Sequence, residues 1–556
     1  MPFMAVNPLS FVIDNLLATA FSLYQQGKLP EAAQRCRSVL QMDARSVDAL
    51  NLLGLILSET GQEASAEACF REALRHQPET VEIWLNLGML LKASGRFTEA
   101  LEAYDRALRG WPDMAAAHFN RGNLLRELGR PQEAVEAFVQ AVRCDPQDPD
   151  AYNNCATLLQ KARRHEEAVA WFDRALRIAP DNLDLHVGKA ASLEQLGRRE
   201  EAGAIFERVL AFRPEHVEAT VGRGLVLEAA AQTEAALECF TRAAQRDPAH
   251  YAAHWNAALC LLKLGRYREG WPLYEWRLRE PREVALRQLA EPRWQGEPLA
   301  GRSLLVHAEQ GLGDTLQFCR FLPQLARQGT NIVFELQAAL LPLLEGRPGM
   351  GRVVAQGEAL PEFDLHCELI SLPLLLDVTL DTLPVSGPYL DVRQARLDVW
   401  ARRLGPATAP RIALVWRTTT PGDRIKSLSV DQLAPLLATG MEFHVAQKVV
   451  SDEERRYLAA FPNVSLHDDA LGDFEDTAAL LSQMDRVISI DTSVAHLAGG
   501  LGREVWILLP FAADWRWLEG RYDSPWYPSA RLFRQNSPGD WQGVVAALTS
   551  VLNEQG

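Results

Sequence analysis

Asp491, Thr492, Ser493 and His496 stand in the middle of RVISIDTSVAHLAGGLGREVWILL, Arg486 to Leu509. Val487–Ile490 is an apolar run of strand length, the polar residues after it make a turn, a short helix carries His496, and Val505–Leu509 is a second strand. Strand, polar turn, helix, strand is the sequence form of a βαβ unit in a parallel sheet. Ligands of such sheets sit at the carboxyl ends of the strands, where Thr492 and Ser493 fall. The unpaired N–H groups at the start of the next helix, with its dipole, favour an anion there, typically a phosphate. A purely structural unit, with Asp491 or Thr492 as a helix cap, accounts for the segment equally well. The rest of the chain has to decide.

The elements that would position these residues belong to a chain of 556 residues, too long for one core, so two or three domains are expected. The composition, 47% hydrophobic and 23% charged, is that of an ordinary soluble protein. A net charge of −15 argues against a general nucleic-acid or anionic-membrane binder, though not against a local basic pocket for a nucleotide. The eight cysteines are scattered with no C-x-x-C pair, a pattern of reduced thiols in a cytoplasm rather than of a disulfide framework or zinc site. The N-terminal stretch has no basic residue before Lys28 and is interrupted by Asn7, Asp14 and Asn15, so no signal peptide is expected. No later stretch is long and apolar enough to span a bilayer.

From Ile13 a pattern returns every 34 residues without insertion, starting at 13, 47, 81, 115, 149, 183, 217 and 251. The eighth position is small (Ala20, Gly54, Gly88, Gly122, Ala156, Ala190, Gly224, Ala258) and the twentieth is alanine, closing with Gly270. The twenty-fourth is large, from Cys36 and Phe70 to Phe240 and Tyr274, and proline ends six consecutive units. Small residues let two antiparallel helices approach, the aromatic fills the space beside them, and proline stops the second helix. This resembles the tetratricopeptide repeat (TPR), whose units stack into a superhelix with a peptide-binding groove. The sixth position, on the first helix of each unit, holds Asn86, Asn120, Asn154 and Asn256, with Gly188 and Gly222 between them. An amide both donates to and accepts from a peptide backbone. The row is similar to the asparagine ladder of O-linked N-acetylglucosamine transferase, and implies a groove for an acceptor polypeptide. The aromatics Trp271, Tyr274 and Trp276 read as a cap joining the array to the second half of the chain, and Pro281, Pro292 and Pro298 mark a linker.

From Ser303 the period changes to alternating strands and helices: SLLVHAE, a glycine turn into GLGDTLQFCRFLPQLARQG, NIVFELQ, then further strands at Arg352–Val354 and Phe363–His366. Gly405–Pro410 interrupts the pattern, and PRIALVW restarts it, followed by MEFHVAQ, Val487–Ile490 and Val505–Leu509. The expectation is an α-solenoid over 13–284, a linker over 285–300, and two Rossmann-like α/β lobes over 301–405 and 406–556 with a cleft between them. A last helix, Asp540–Asn553, is expected to pack across the lobes.

EQGLGDTLQF, LGDFEDTAAL, ISIDTSVAHLAG, LLPFAADWRW and DSPWYP resemble, in that order, the transferase domain of bacterial TPR glycosyltransferases. That domain is akin to glycosyltransferase family 9, the heptosyltransferases. The resemblance implies a GT-B fold whose first lobe holds an acceptor and whose second holds a nucleotide-sugar, with inversion at the anomeric carbon and no metal or other cofactor. Flagellin glycosyltransferases share this layout, which makes flagellin a candidate acceptor by analogy.

It also implies roles for residues. Asp314, after Gly311-Leu312-Gly313, matches the base that takes the acceptor hydroxyl proton, though an Asp after Gly fits a helix cap as well. The two glycines give a tight turn and let a substrate approach the backbone. Lys448 and Lys426 are candidates to neutralise the leaving diphosphate; a lone lysine is otherwise a solvated surface charge. Thr492 and Ser493 fall to the diphosphate, Asp491 to ordering the turn, and His496 to packing or to phosphate or sugar contact. Asp514, Trp515 and Trp517 shape the cleft or its core. The loop Trp416–Leu428 departs from the family, which commonly reads W-A-G-N-P and then Arg-Ser; here Arg417 and Thr418, Thr419 and Thr420 stand instead, with Lys426-Ser427 later. The threonines offer hydroxyls and N–H groups to phosphate. The reading is a cytoplasmic protein O-glycosyltransferase acting on Ser or Thr. Its rivals are a TPR scaffold with an inactive transferase-like domain and a small-glycan transferase.

Overall fold

A computed structural model describes residues 8–279, 289–299, 301–384, 387–418 and 424–555. The chain forms two compact units that divide between Gly222 and Arg223.

The first unit is helical. After Pro8–Gln25 come Leu29–Met42, Val47–Glu59, Glu63–His76, Val81–Ala93 and Phe97–Gly110, and the same alternation of 13 and 14 residues continues to Arg199–Phe212 and into Val217–Ala229. The small eighth position is a packing requirement. A Cβ on Gly54 would lie 2.6 Å from the Phe70 ring, on Gly88 2.6 Å from Tyr104, and on Gly122 2.8 Å from Phe138. The two glycines that interrupt the asparagine row have the same cause. A Cβ at Gly188 would meet Phe172 of the preceding unit at 2.5 Å, and one at Gly222 would meet Phe206 at 2.2 Å.

Each first helix ends on a left-handed residue at the fifteenth position of its unit. Gly27, Gly61, Gly95, Gly129 and Gly197 hold φ between 69° and 77° there, while Arg163 takes the same conformation at φ 58°. Glycine is favoured because a Cβ makes left-handed backbone costly.

The second unit opens with the end of Val217–Ala229, then Thr233–Arg246, Tyr251–Lys263, Tyr267–Tyr274 and a 3₁₀ turn, Glu275–Arg279. Ala231 (φ 56°) and Gly265 (φ 76°) are left-handed at the fifteenth positions of the seventh and eighth repeats. These helices pack on the α/β part. Trp526 Nε1 donates to Tyr267 Oη at 2.8 Å, Trp271 Nε1 donates to the Val378 carbonyl at 3.0 Å, and Arg277 pairs with Glu309 at 2.8 Å. Trp271 and Tyr274 of the last repeat are therefore core residues, each 2% exposed, whereas Trp276 is half-buried.

The α/β part holds two wholly parallel sheets. The first orders its strands β3-β2-β1-β4, from β1 Ser303–His307, β2 Asn331–Leu336, β3 Arg352–Ala355 and β4 Leu365–Glu368. The second runs β10-β9-β8-β5-β6-β7, from β5 Arg411–Val415, β6 Glu442–Val445, β7 Val464–Leu466, β8 Arg486–Ile490, β9 Val505–Leu509 and β10 Ala530–Arg534. Strands β5, β8 and β9 are near-continuous apolar runs because both faces are covered. The terminal helix, Trp541–Gln555, does not bridge the lobes as expected. Its Val544, Val545, Leu548 and Leu552 join the core of the second sheet with Leu433, Leu436 and Phe533. Helix Gln394–Leu404 crosses instead: Trp400 Nε1 donates to Asp476 at 3.1 Å, and Arg393 and Arg396 pair with Glu475 and Asp476 at 2.7 and 2.8 Å.

Candidate functional site

One cavity of about 820 Å³ in the second unit is lined from both sheets and from the last helical pair. Gly311, Gly313, Asp314, Thr418, Lys426, Lys448, Asp491, Thr492, Ser493 and His496 all lie on it. Thr419 and Thr420 are outside the described residues.

Asp314 is the third residue of the helix Leu312–Phe318 that comes after β1, and its Oδ2 accepts from the Gly311 N–H at 2.9 Å. Its other oxygen pairs with Arg516. The cap and the site-facing carboxylate are thus the same group. Gly313 permits a contact between elements: a Cβ there would lie 2.9 Å from His496 Cδ2 and 3.5 Å from Ser493 Cα. The glycine turn brings the helix after β1 against the helix Ser493–Gly500 after β8.

Thr492 is the N-cap of that second helix, and Thr492, Ser493 and Val494 all face the cavity. The first N–H groups of a helix have no intrahelical partner, which leaves them to a ligand. Asp491 is 8% exposed and pairs with Lys426 at 3.0 Å, so it holds the lysine as well as the turn. His496 is buried. Its Nδ1 shares a hydrogen bond of 2.8 Å with Tyr527 Oη, and its ring stacks on Trp517 at 5.4 Å. Burial, and after it the Arg516 guanidinium, push the imidazole down to about 3, so it is neutral.

The cavity's cations differ in how they are tied. Arg417 is clamped by Glu454 at 2.7 Å and donates to the Val449 carbonyl at 3.0 Å. Lys426 pairs with Asp491. Arg516 pairs with Asp314, and with Asp514 at 2.9 Å, and its Nε donates to Gln317 Oε1 at 2.8 Å. Lys448, at the carboxyl end of β6, is exposed and donates to the Gly472 carbonyl at 3.0 Å. Alone of the four, it has no carboxylate partner among the described residues. Burial works against ionisation of Asp514, but Arg516 and then Lys426 outweigh it and hold the carboxyl below its ordinary value. In the departing loop, the Thr418 N–H donates to Ser427 Oγ at 3.1 Å.

Sequence reasoning passes over Arg516 between Trp515 and Trp517; its two aspartate partners, 202 and two residues away, become visible only in the fold. Trp255 and Leu259, from the last repeat, also line the cavity and carry no chemical signal by themselves. Strand register further assembles His307, His366 and Glu368, which bring one ligand-type atom each within 4.8 Å of one another. Arg293 holds Glu368 there by an ion pair of 2.7 Å.

The asparagines of the row are all half-buried or exposed at one edge and already bonded. Asn86 donates to Asn51 Oδ1 at 3.0 Å, Asn120 to the Ala116 carbonyl at 3.0 Å, Asn154 to Asn123 Oδ1 at 3.5 Å, and Asn256 to the Ala252 carbonyl at 2.8 Å. Each amide has a second N–H to offer, and the Asn154 oxygen already accepts from Arg126 at 3.3 Å.

Among known proteins, residues 17–78, 59–115, 85–149, 119–183, 221–270 and 159–220 match tetratricopeptide repeat families. The N-terminal part of the chain is a TPR array. The chain is 29% identical over 326 residues to Protein FlbA of Caulobacter vibrioides, a match that covers 53% of this chain and 54% of FlbA. It thus spans about half the length of that curated relative. Among solved structures it is similar to PilF of Pseudomonas aeruginosa (20% identity, TM-score 0.35, 38% of this chain and 97% of that one). It is also similar to a tetratricopeptide repeat protein of Parabacteroides merdae (20% identity, TM-score 0.33, 45% and 98%).

Proposed function

We propose that this chain is a glycosyltransferase of GT-B type that moves a sugar from a nucleotide donor to a Ser or Thr hydroxyl of a protein held by its TPR groove. The observation that carries the reading is the cavity joining the carboxylate of Asp314, from the first sheet, to Lys448, Thr492 and Ser493, from the second. In this reading Asp314 takes the proton of the acceptor hydroxyl as the oxygen attacks the anomeric carbon. The bond to the nucleoside diphosphate breaks on the opposite face, with inversion. Lys448 and the first N–H groups of helix Ser493–Gly500 then meet the charge growing on the departing diphosphate. Lys426 and His496 act through position, the first by holding Asp491 and the second by fixing the helix against Gly313. Flagellin, the acceptor of enzymes with this layout, is the first acceptor to try.

A TPR scaffold with a silent α/β part is the second reading, favoured by the pairing of Arg417, Lys426 and Arg516 with carboxylates inside the cavity. A thermal-shift panel of UDP, GDP, ADP, CDP and CMP on the wild type and on Lys448→Ala separates them, because a ligand of the native state raises the melting temperature by mass action. The transferase predicts stabilisation by one nucleotide, lost or sharply reduced in the variant. Asp314→Asn should keep that stabilisation and lose transfer by about a hundredfold or more, the usual range for a general base. No shift with any nucleotide would establish the scaffold.

A further inference from the structure

We infer that Trp255 and Leu259 form a subsite for an apolar residue of the acceptor polypeptide, flanking the hydroxyl that reacts. This rests on the transferase reading above. The two residues stand four apart on helix Tyr251–Lys263 and so share one face. Both line the cavity that holds Gly311–Asp314, and both are only partly buried, whereas Ala253, Ala257 and Ala258 of the same helix are buried. The indole is fixed in place. It lies 4.9 Å from the Tyr274 ring, and Tyr251 stacks beside it at 6.4 Å and 11°. Tyr274 lies 5.8 Å from Trp515, and the Arg516 guanidinium that pairs with Asp314 sits 4.5 Å over that same Trp515. A rigid, half-open apolar wall therefore backs onto the base.

The chemistry of the wall selects its occupant. An indole and a leucine offer nothing to a diphosphate, whose cation and helix N–H groups are Lys448 and those after Thr492. A side chain of Val, Leu or Pro type next to the reactive Ser or Thr gains by leaving water there. Asn256, the next residue on the helix, uses one N–H on the Ala252 carbonyl and keeps a donor and an acceptor for a peptide backbone. A polypeptide satisfies both features, the wall taking its apolar side chain and the amide its backbone.

The test titrates the full chain against two fluorescein-labelled serine peptides, identical except that Val, Pro and Leu flank the serine in one and glycines do in the other. Fluorescence anisotropy should show the apolar-flanked peptide binding roughly tenfold tighter, a difference worth about one buried aliphatic group. Trp255→Ala and Leu259→Asp should each bring the two peptides to within about twofold of one another, while Trp255→Phe keeps most of the preference. Equal affinity of the wild type for both peptides, or a preference that survives both disruptive variants, would overturn the subsite. Since peptide binding needs no turnover, a peptide preference without any nucleotide-induced stabilisation would sink the transferase and not the apolar peptide site.

Discussion

Burial and Arg516 push the His496 imidazole down to about 3, and burial and the neighbouring His444 push His467 down to about 4. His444, sharing a 3.0 Å hydrogen bond with His467, is also lowered by burial. An unfolded histidine titrates near 6.5. Above that value neither state carries the proton, and the full stability is present. Between about 6.5 and 4 the unfolded chain binds protons that the folded one refuses at His496 and His467, so stability falls as pH falls, by roughly 1.4 kcal/mol per unit for each of these two. Urea midpoints between pH 7.5 and 4.5 should drop steeply, and His496→Asn should reduce the slope by about one proton's worth. A flat profile would mean these rings are protonated in the native state. At this scale the sequence is partly legible. Asp314, Lys448 and Thr492 can be named because a glycine turn or a strand end marks each of them. Arg516 cannot, because an arginine between two tryptophans acquires its role only when Asp314 is folded beside it.

Among the elements, the 34-residue period is legible because each unit repeats one packing problem, a small residue under an aromatic ring. The α/β half is readable through its central strands. Strands β7 and β10 escape that reading, and both lie at sheet edges. The first is three residues long and the second, ARLFR, carries an arginine at its second position and another at its end, so neither has the apolar run of a strand covered on both faces. The terminal helix is misplaced by sequence alone because an apolar face states that it is buried but not against what. The turn at the fifteenth position gives a quantitative test. Arg163 and Ala231 hold there the left-handed conformation that glycine holds in the other units, at a cost of about 1 kcal/mol each. Ala231→Gly and Arg163→Gly should therefore each stabilise their own unit by about that amount, measured as a shift of the denaturation midpoint. Destabilisation by Ala231→Gly would show that the entropy lost on ordering glycine outweighs the relieved strain.

For the whole molecule, what matters is that the second compact unit begins inside the seventh repeat, and that the last helical pair shares a core with the two sheets. Helix Tyr251–Lys263 thereby reaches the cavity that Lys448 and Thr492 line. No helix among the described residues is long and apolar enough to cross a membrane. If nucleotide fills this cavity, its effect should not stop at the second sheet. Ligand that orders one wall lowers local opening in the elements packed against it, and amide hydrogen exchange reads such opening directly. Saturation with the nucleotide that stabilises the chain should slow exchange after β6, at Thr492–His496 and in helix Leu312–Phe318, and also in helix Tyr251–Lys263, with residues 8–212 as the internal reference. Protection confined to residues 411–534 would mean that the second sheet binds alone and that the last repeat is a cap without a share in the site. Protection reaching Tyr251–Lys263 would make that last repeat a wall of the nucleotide site, ordered together with the two sheets it packs on.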